Sequence, residues 1–235
     1  MRKIFDPYPA LVRAFDILAS AAALLILSPL FALIATAIKL DDRGSAFFIQ
    51  HRVGKSGKIF RMYKFRSMVT GAHRTDIFIN GDQDSRITRV GKFLRRSALD
   101  ELPQLINVFK GEMSIIGPRP ALPVHIEEYS EHQMRRLEVK PGITGWAQIN
   151  GRNSLSWPER IEHDIWYIDN RSLSLDLKVV LLTVPFLMKN EGVYAGREKF
   201  SFDAPEEKSE EATPVIINPP RESRIHPGRK SVVNQ

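Results

Sequence analysis

Apolar and polar positions divide the chain into stretches of different character. Residues 17–38 hold no charged side chain in 22 positions, a run that as helix measures about 33 Å and would cross the hydrocarbon core of a bilayer. It is longer and more continuous than the apolar part of a cleaved signal peptide. Ser28-Pro29 interrupts it at its middle, where proline removes a ladder hydrogen bond and bends the helix. Arg2, Lys3 and Arg13 precede the run and Lys39 and Arg43 follow it, so the preference of cations for the cytoplasmic side applies to both ends. An ordinary kinked span and a helix-break-helix that enters and leaves by one face both remain open on this pattern. Residues 1–16 mix cations with Phe5, Tyr8 and Phe15 and suit a membrane interface.

The period then changes to that of strands. Ala46-Phe-Phe-Ile49, a turn through Gly54-Lys55-Ser56-Gly57, and a second run from Ile59 to Met68 predict a hairpin carrying Arg52, Lys55, Lys58, Arg61, Lys64 and Arg66. Most of these cations are expected on a solvated or headgroup-facing edge, with one or two reaching a phosphate. Gly54-Lys55-Ser56 is no P-loop, because the first glycine of that motif falls on Ile49. Residues 71–90 are polar and read as a connection or an active-site loop.

A short helix from about Gly91 to Arg96 leads into Ser97-Ala-Leu-Asp-Glu-Leu-Pro-Gln104. Pro103 cannot donate a backbone hydrogen bond, so a helix covering residues 102–110 should begin near Ser97 to Asp100 and stop at Gly111. Asp100 and Glu101 then lie at the positive end of its dipole, where carboxylates and phosphates are both favoured, with Arg95, Arg96 and Arg119 near in sequence. An acidic first turn that merely suits the dipole is the plain alternative. In Gly117-Pro-Arg-Pro120 the prolines Pro118 and Pro120 fix the backbone around Arg119, which lowers the entropy lost when its guanidinium binds an anion.

Residues 121–139 predict one helix with Glu127, Glu128, Glu131, Arg135 and Arg136 on a solvated face. Residues 140–153 are rich in turns, with an exposed Trp146 and Arg152 suited to a base or sugar ring, or to a structured loop alone. Residues 157–170 form an amphipathic helix in which His163 and Asp164 make a surface pair. Residues 173–188 are apolar but too short in their uncharged part to span, so they are core or an interfacial helix.

Composition narrows the function classes. The chain has 235 residues and is 43% hydrophobic, enough for one sizeable domain with appendages. It lacks cysteine, which excludes disulfides and thiolate metal sites and fits a reducing compartment. Residues 201–235 hold five Lys/Arg, six Asp/Glu and, from Pro205 to Pro227, five prolines, a tail expected to be disordered because it cannot bury a core. The formal charge of +7 therefore rests on residues 1–200, and that body seeks anions: nucleic acid, anionic lipid or phosphorylated small substrates.

Ser28-Pro29 within the apolar run, Lys64-Phe-Arg-Ser-Met68, Leu99-Asp-Glu-Leu-Pro-Gln104, Gly117-Pro-Arg-Pro120 and Lys140-Pro-Gly-Ile-Thr-Gly-Trp146 with Asn150-Gly-Arg-Asn153 together resemble the bacterial sugar transferase family. Its small members are monotopic polyprenyl-phosphate phosphoglycosyl transferases. Five motifs in family order across residues 8–195 are far more specific than any one of them. The resemblance implies an α+β fold: a re-entrant membrane helix hairpin bent at Ser28 and Pro29 (residues 1–40), a mainly helical cytoplasmic catalytic domain with a short β-hairpin and interfacial amphipathic helices (41–200), and the tail (201–235). It implies transfer of a sugar-1-phosphate from a UDP-sugar to undecaprenyl phosphate at the bacterial inner membrane, with UMP released and a glycan such as exopolysaccharide, O-antigen or capsule begun. By the same resemblance Asp100 is the nucleophile, forming an aspartyl phosphosugar intermediate in a ping-pong cycle, and Glu101 helps hold Mg²⁺. Arg95 binds phosphate, Lys64 and Arg66 contribute to substrate binding, and Pro118, Arg119, Pro120 and Arg152 lie around the nucleotide. Residues 146–153 look like those of small members that move N-acetylated amino sugars. The implied partners are the two substrates, membrane lipids and downstream glycosyltransferases, with no nucleic acid. A membrane-anchored binding module without chemistry, or a scaffold for polysaccharide export, is the rival and predicts tolerance to losing Asp100.

Overall fold

A computed structural model describes residues 7–72, 84–151 and 155–188. Arg152 and the tail from residue 201 lie outside the described residues. The apolar run forms two helices, α1 (Tyr8–Ile26) and α2 (Ser28–Asp41), broken at Leu27. Ser28 Oγ donates to the Leu25 carbonyl at 2.8 Å, recovering one of the acceptors that Pro29 leaves without an N–H partner. Among the described residues α1 alone is long and apolar enough to cross a membrane.

Both outer ends of this helix pair are fixed to the same globular unit. On α1, Arg13 donates to the Val108 and Phe109 carbonyls at 2.7 and 2.8 Å, and buried Asp16 accepts from the Ile115 amide at 2.9 Å and Ser114 Oγ at 3.1 Å. On α2, Ile34 and Ile38 are buried against Phe65 and Leu94. No residue from Ala21 to Leu33 is buried, and Leu18, Leu25, Ile26 and Leu33 are largely exposed.

The hairpin forms as expected from strands β1 (Phe47–Val53) and β2 (Ile59–Phe65), antiparallel with Phe47 opposite Phe65 and Val53 opposite Ile59. Helix α3 (Arg89–Arg96) is capped by Thr88 Oγ1, which accepts from the Gly91 amide at 2.9 Å. Gly91 lies so close to β2's continuation that a Cβ there would stand 2.0 Å from the Ser67 carbonyl. Helix α4 (Gln104–Lys110) ends at Gly111, whose φ of 86° is the left-handed conformation that terminates helices.

Three expectations are corrected. Asp100 and Glu101 do not open α4: they sit on a separate 3₁₀ turn, Leu99–Glu101, with Pro103 starting the helix after them and Ala98 before them at φ 54°. Residues 121–139 are not one helix but two single turns, α5 (Pro123–Ile126) and α6 (Glu131–Met134), and a 3₁₀ turn, Arg135–Glu138. Ser130 caps α6 through a capping box and so starts a new helix in mid-segment. The turn-rich stretch also yields strand β4 (Gly142–Thr144), which pairs in parallel with β3 (Ser114–Ile116).

The remaining helices are α7 (Trp146–Ile149), α8 (Trp157–Asn170) and α9 (Leu173–Met188). Their inner faces and β3 enclose Ile116, Val139, Tyr167, Ile168 and Val179. Leu173, Leu177, Leu181 and Val184 form an exposed apolar stripe on α9, the pattern of a helix lying at an interface. Trp146, expected to be exposed, is half-buried and stacked on Trp166 with ring centres 4.7 Å apart.

Candidate active site

The site is built where β2, the 3₁₀ turn and the loop after β3 converge. Buried Asn107 on α4 sets the first of these distances. Its Nδ2 donates to the Arg61 carbonyl at 2.7 Å and its Oδ1 accepts from the Tyr63 amide at 3.0 Å, so α4 is stitched to the open edge of β2. Lys64, the next residue, is thereby held against the turn that precedes α4, and its Nζ donates to Glu101 Oε1 at 2.9 Å.

The loop 117–120 is fixed from the other side. Proline removes two of its amide donors, but all three carbonyls from Pro118 to Pro120 are taken: Pro118 O by the Gly142 amide at 2.8 Å, Arg119 O by Arg136 Nη2 at 2.9 Å, and Pro120 O by Arg52 Nη1 at 2.9 Å. A Cβ on Gly142 would lie 2.1 Å from the Gly117 amide nitrogen, so glycine in the 140–146 motif serves the close crossing of these two loops. Arg119, thus placed, reaches Glu101 with Nη2 at 2.6 Å and Nη1 at 3.3 Å.

Glu101 is therefore clamped by two cations. Burial alone would raise its pKa, but Arg119 and Lys64 hold it well below the usual carboxylate range. Asp100 differs: it makes no hydrogen bond or ion pair with any described residue. Burial pushes its pKa up, Lys64 opposes that, and Glu101 adds to the rise. Two adjacent carboxylates with opposite shifts mark a division of labour. One is an electrostatic fixture and the other an unengaged carboxylate in a positive field. Arg95 completes the Asp100 side: Ser67 Oγ accepts from its Nε at 2.8 Å, and its charge acts on Asp100.

The structure thus brings together Asp100, Glu101, Lys64, Arg95 and Arg119, with Pro118 and Pro120 buried around the last. It does not bring Arg66 to them. That guanidinium donates to Thr70 Oγ1 at 2.8 Å and to the Asp42 carbonyl, closing the entry to the hairpin.

Sequence reasoning missed several members. Arg136 and Asp164, expected on solvated faces, form a buried ion pair with Nε to Oδ2 at 2.7 Å, and the Tyr129 hydroxyl accepts from Arg136 Nη1 at 2.7 Å. Trp157 packs beneath the guanidiniums of Arg136 and Arg160, 5.3 and 5.8 Å from its ring centre, and edge-on to His125. Arg52 is not singled out among the hairpin's cations by the sequence, yet strand alternation puts it on the same inward face as Gln50. Polar residues at inward positions were the available signal.

Among the described residues no three potential ligands cluster into a preformed metal cage. Mg²⁺ does not require one: it is commonly bound by one or two carboxylates with the rest of its shell supplied by substrate phosphate and water. Asp100 and Glu101 fit that donor set, and the latter's Oε2 has only the 3.3 Å contact to Arg119.

A half-buried carboxylate pair flanked by Lys64, Arg95 and Arg119, beside an apolar helix pair, has the charge arrangement that suits an anionic ligand. The chain belongs to the bacterial sugar transferase family, whose sequence profile matches residues 8–190. It is similar to the uncharacterized sugar transferase EpsL of Bacillus subtilis, 44% identical over 78% of this chain and 90% of that one. It is 45% identical to the UDP-glucose:undecaprenyl-phosphate glucose-1-phosphate transferase of Escherichia coli, over 78% of this chain and 41% of that longer protein. To the UDP-N-acetylgalactosamine-undecaprenyl-phosphate N-acetylgalactosaminephosphotransferase of Aeromonas hydrophila it is 41% identical, over 79% and 45%.

Proposed function

We propose that the chain transfers a sugar-1-phosphate from a UDP-sugar to undecaprenyl phosphate and so begins a bacterial glycan. The observation that carries this reading is the unpartnered Asp100 carboxylate beside a Glu101 that Lys64 and Arg119 neutralise. In the first half-reaction an Asp100 oxygen bonds to the sugar-bearing phosphorus of the UDP-sugar. The bond from that phosphorus to the bridging oxygen breaks, and its electron pair leaves with UMP. In the second, a phosphate oxygen of undecaprenyl phosphate attacks the same phosphorus, the Asp100–phosphorus bond breaks, and the carboxylate returns. A carboxylate suits this because it needs no general base and its mixed anhydride is reactive. Lys64, Arg95 and Arg119 offset the charge of the diphosphate, without which the anionic nucleophile is repelled. Glu101 and Asp100 are the residues that would hold Mg²⁺, which would further neutralise the phosphates.

The transferred sugar is proposed to be an N-acetylated amino sugar, supported by the resemblance of residues 146–153. Relatives named for glucose and for N-acetylgalactosamine bracket that choice, and a panel of UDP-sugars decides it. The helix pair is proposed to be re-entrant at the inner membrane, with the catalytic unit on the cytoplasmic face. Its support is that Asp16 and Ile38, on the two helices, are both buried in the same globular unit.

The test uses detergent-solubilised full chain, Mg²⁺ and UDP-sugars. Without lipid acceptor, one equivalent of UMP is expected per site, with a phosphosugar adduct on the Asp100 peptide by mass spectrometry. Asp100→Asn keeping full turnover would remove the proposed mechanism and favour the non-catalytic binding module.

A further inference from the structure

The cations around Glu101 differ in how they are balanced. Lys64 and Arg119 share Glu101, and Arg136 has Asp164. Arg52 has no carboxylate. Its Nε and Nη2 donate to Gln50 Oε1 at 3.1 and 2.7 Å and its Nη1 to the Pro120 carbonyl at 2.9 Å, all neutral acceptors. It stands half-buried beside the like charges of Arg119 and Arg136. Burial first, and then Arg119, push its pKa down to about 9.

A guanidinium carries five N–H donors, and three are accounted for here. An inward cation left without a counter-charge is costly, and that cost is offset when a ligand brings the missing anion. Gln50 and the Pro120 carbonyl hold the fork by its edges, a fixed arrangement suited to a phosphate.

Position indicates which phosphate. Arg95 is held by Ser67 on the Asp100 side, whereas Arg52 is fixed to the Pro120 carbonyl, next to Arg119. A diphosphate with its reacting phosphorus at Asp100 and its length directed toward Arg119 puts the second phosphate on the Arg52 side. We propose that Arg52 and Arg119 form the subsite for the phosphate of the departing nucleoside monophosphate, receiving the charge that collects on the bridging oxygen as its bond to the transferred phosphorus breaks. This rests on the phosphoglycosyl transfer reading above.

The experiment compares wild type, Arg52→Gln and Arg52→Lys as solubilised full chains, titrated with UMP and with uridine. Removing one charge-assisted phosphate contact should weaken UMP at least tenfold in Arg52→Gln and less in Arg52→Lys, with uridine affinity unchanged in both. UMP binding equal to wild type in Arg52→Gln overturns the proposal. So does a raised KM for undecaprenyl phosphate with unchanged UMP affinity, which would assign Arg52 to the acceptor. Should Arg52→Gln fail to fold, wild type is treated with phenylglyoxal and Arg52 modification is mapped by peptide mass spectrometry. Protection by UMP but not by uridine is expected, and equal labelling with and without UMP overturns the subsite. A wild-type chain that neither binds nor releases UMP would instead strike the phosphoglycosyl transfer reading itself.

Discussion

Asp164→Asn should separate the architecture of the site from its chemistry. Asp164 and Arg136 are 1% and 4% exposed, and their contact is 2.7 Å. At an effective dielectric constant of about 20 two unit charges at that distance attract by roughly 6 kcal/mol, most of which the desolvation of both ions cancels. Removing one partner is worse than never having the pair, because Arg136 then stays buried with its charge unmatched, at a cost of about 3–5 kcal/mol. For a chain of this length each kcal/mol moves the melting temperature by roughly 2–4 °C, so a fall of roughly 6–20 °C is expected in thermal unfolding of the solubilised protein. Arg136 also holds the Arg119 carbonyl at 2.9 Å, and its loss should loosen the guanidinium that clamps Glu101. The double variant Arg136→Met/Asp164→Leu removes both charges and should recover much of the stability. It should not recover kcat/KM, because nothing then holds the Arg119 carbonyl. If Asp164→Asn melts with wild type, or if the double variant regains stability and turnover together, the pair is not the support of Arg119.

The pH dependence follows from opposite shifts. Burial raises Asp100, and as the proposed nucleophile it would have to be ionised to attack, so turnover should fall on acidification at a pH above the ordinary aspartate value of about 3.9. Lys64→Met removes the strongest lowering influence and should move that limb to higher pH; an unmoved limb would mean Asp100 is not the titrating group. In stability the signs reverse between neighbours: Asp100, raised on folding, contributes at low pH and loses that contribution as pH rises. Glu101, depressed on folding, contributes above its unfolded pKa of about 4.3 and loses that as pH falls, so Glu101→Gln should flatten the acid limb of the unfolding curve. A cysteine added at the N-terminus should stay protected from an impermeant thiol reagent in intact cells, and should become labelled when Ser28 and Pro29 are both replaced by leucine; labelling of the unsubstituted chain would establish a spanning helix. Truncation after Phe202 should leave UMP release within about twofold, since the composition of residues 203–235 offers no core to join, and a large loss in folded protein would show that this segment docks.

What the sequence made legible was whatever has a local cause. The break at Ser28-Pro29, the hairpin and its turn, the stop at Gly111 and the span of α8 follow from proline chemistry, alternation and caps. Asp100, Glu101 and Arg119 stood out because charge, proline and family resemblance coincide there. Long-range burial was not legible. Arg136 and Glu131 occupy the same kind of helical spacing, yet one is buried on Asp164 and the other lies exposed at the start of α6. Asp16 adjoins an apolar run and looks like its polar boundary, whereas it anchors α1 through Ser114 and Ile115, about a hundred positions away. Nothing local distinguishes such residues, because their partners are chosen by the fold.

The break at Leu27 also sets how the protein loads its membrane. From Ser20, the last buried position of α1, to Leu27 is about 10 Å of helix, which falls short of the midplane of a hydrocarbon core roughly 30 Å thick. On the re-entrant reading, two helix cross-sections, each about 10–12 Å wide, occupy area in the cytoplasmic leaflet and none in the opposite one. Each molecule is then a one-sided wedge. Crowding many of them would expand one leaflet against the other and bend the bilayer toward the cytoplasm, a strain that grows with density. On that reading the helix pair would favour dispersal of the molecules, or partners that fill the opposite leaflet.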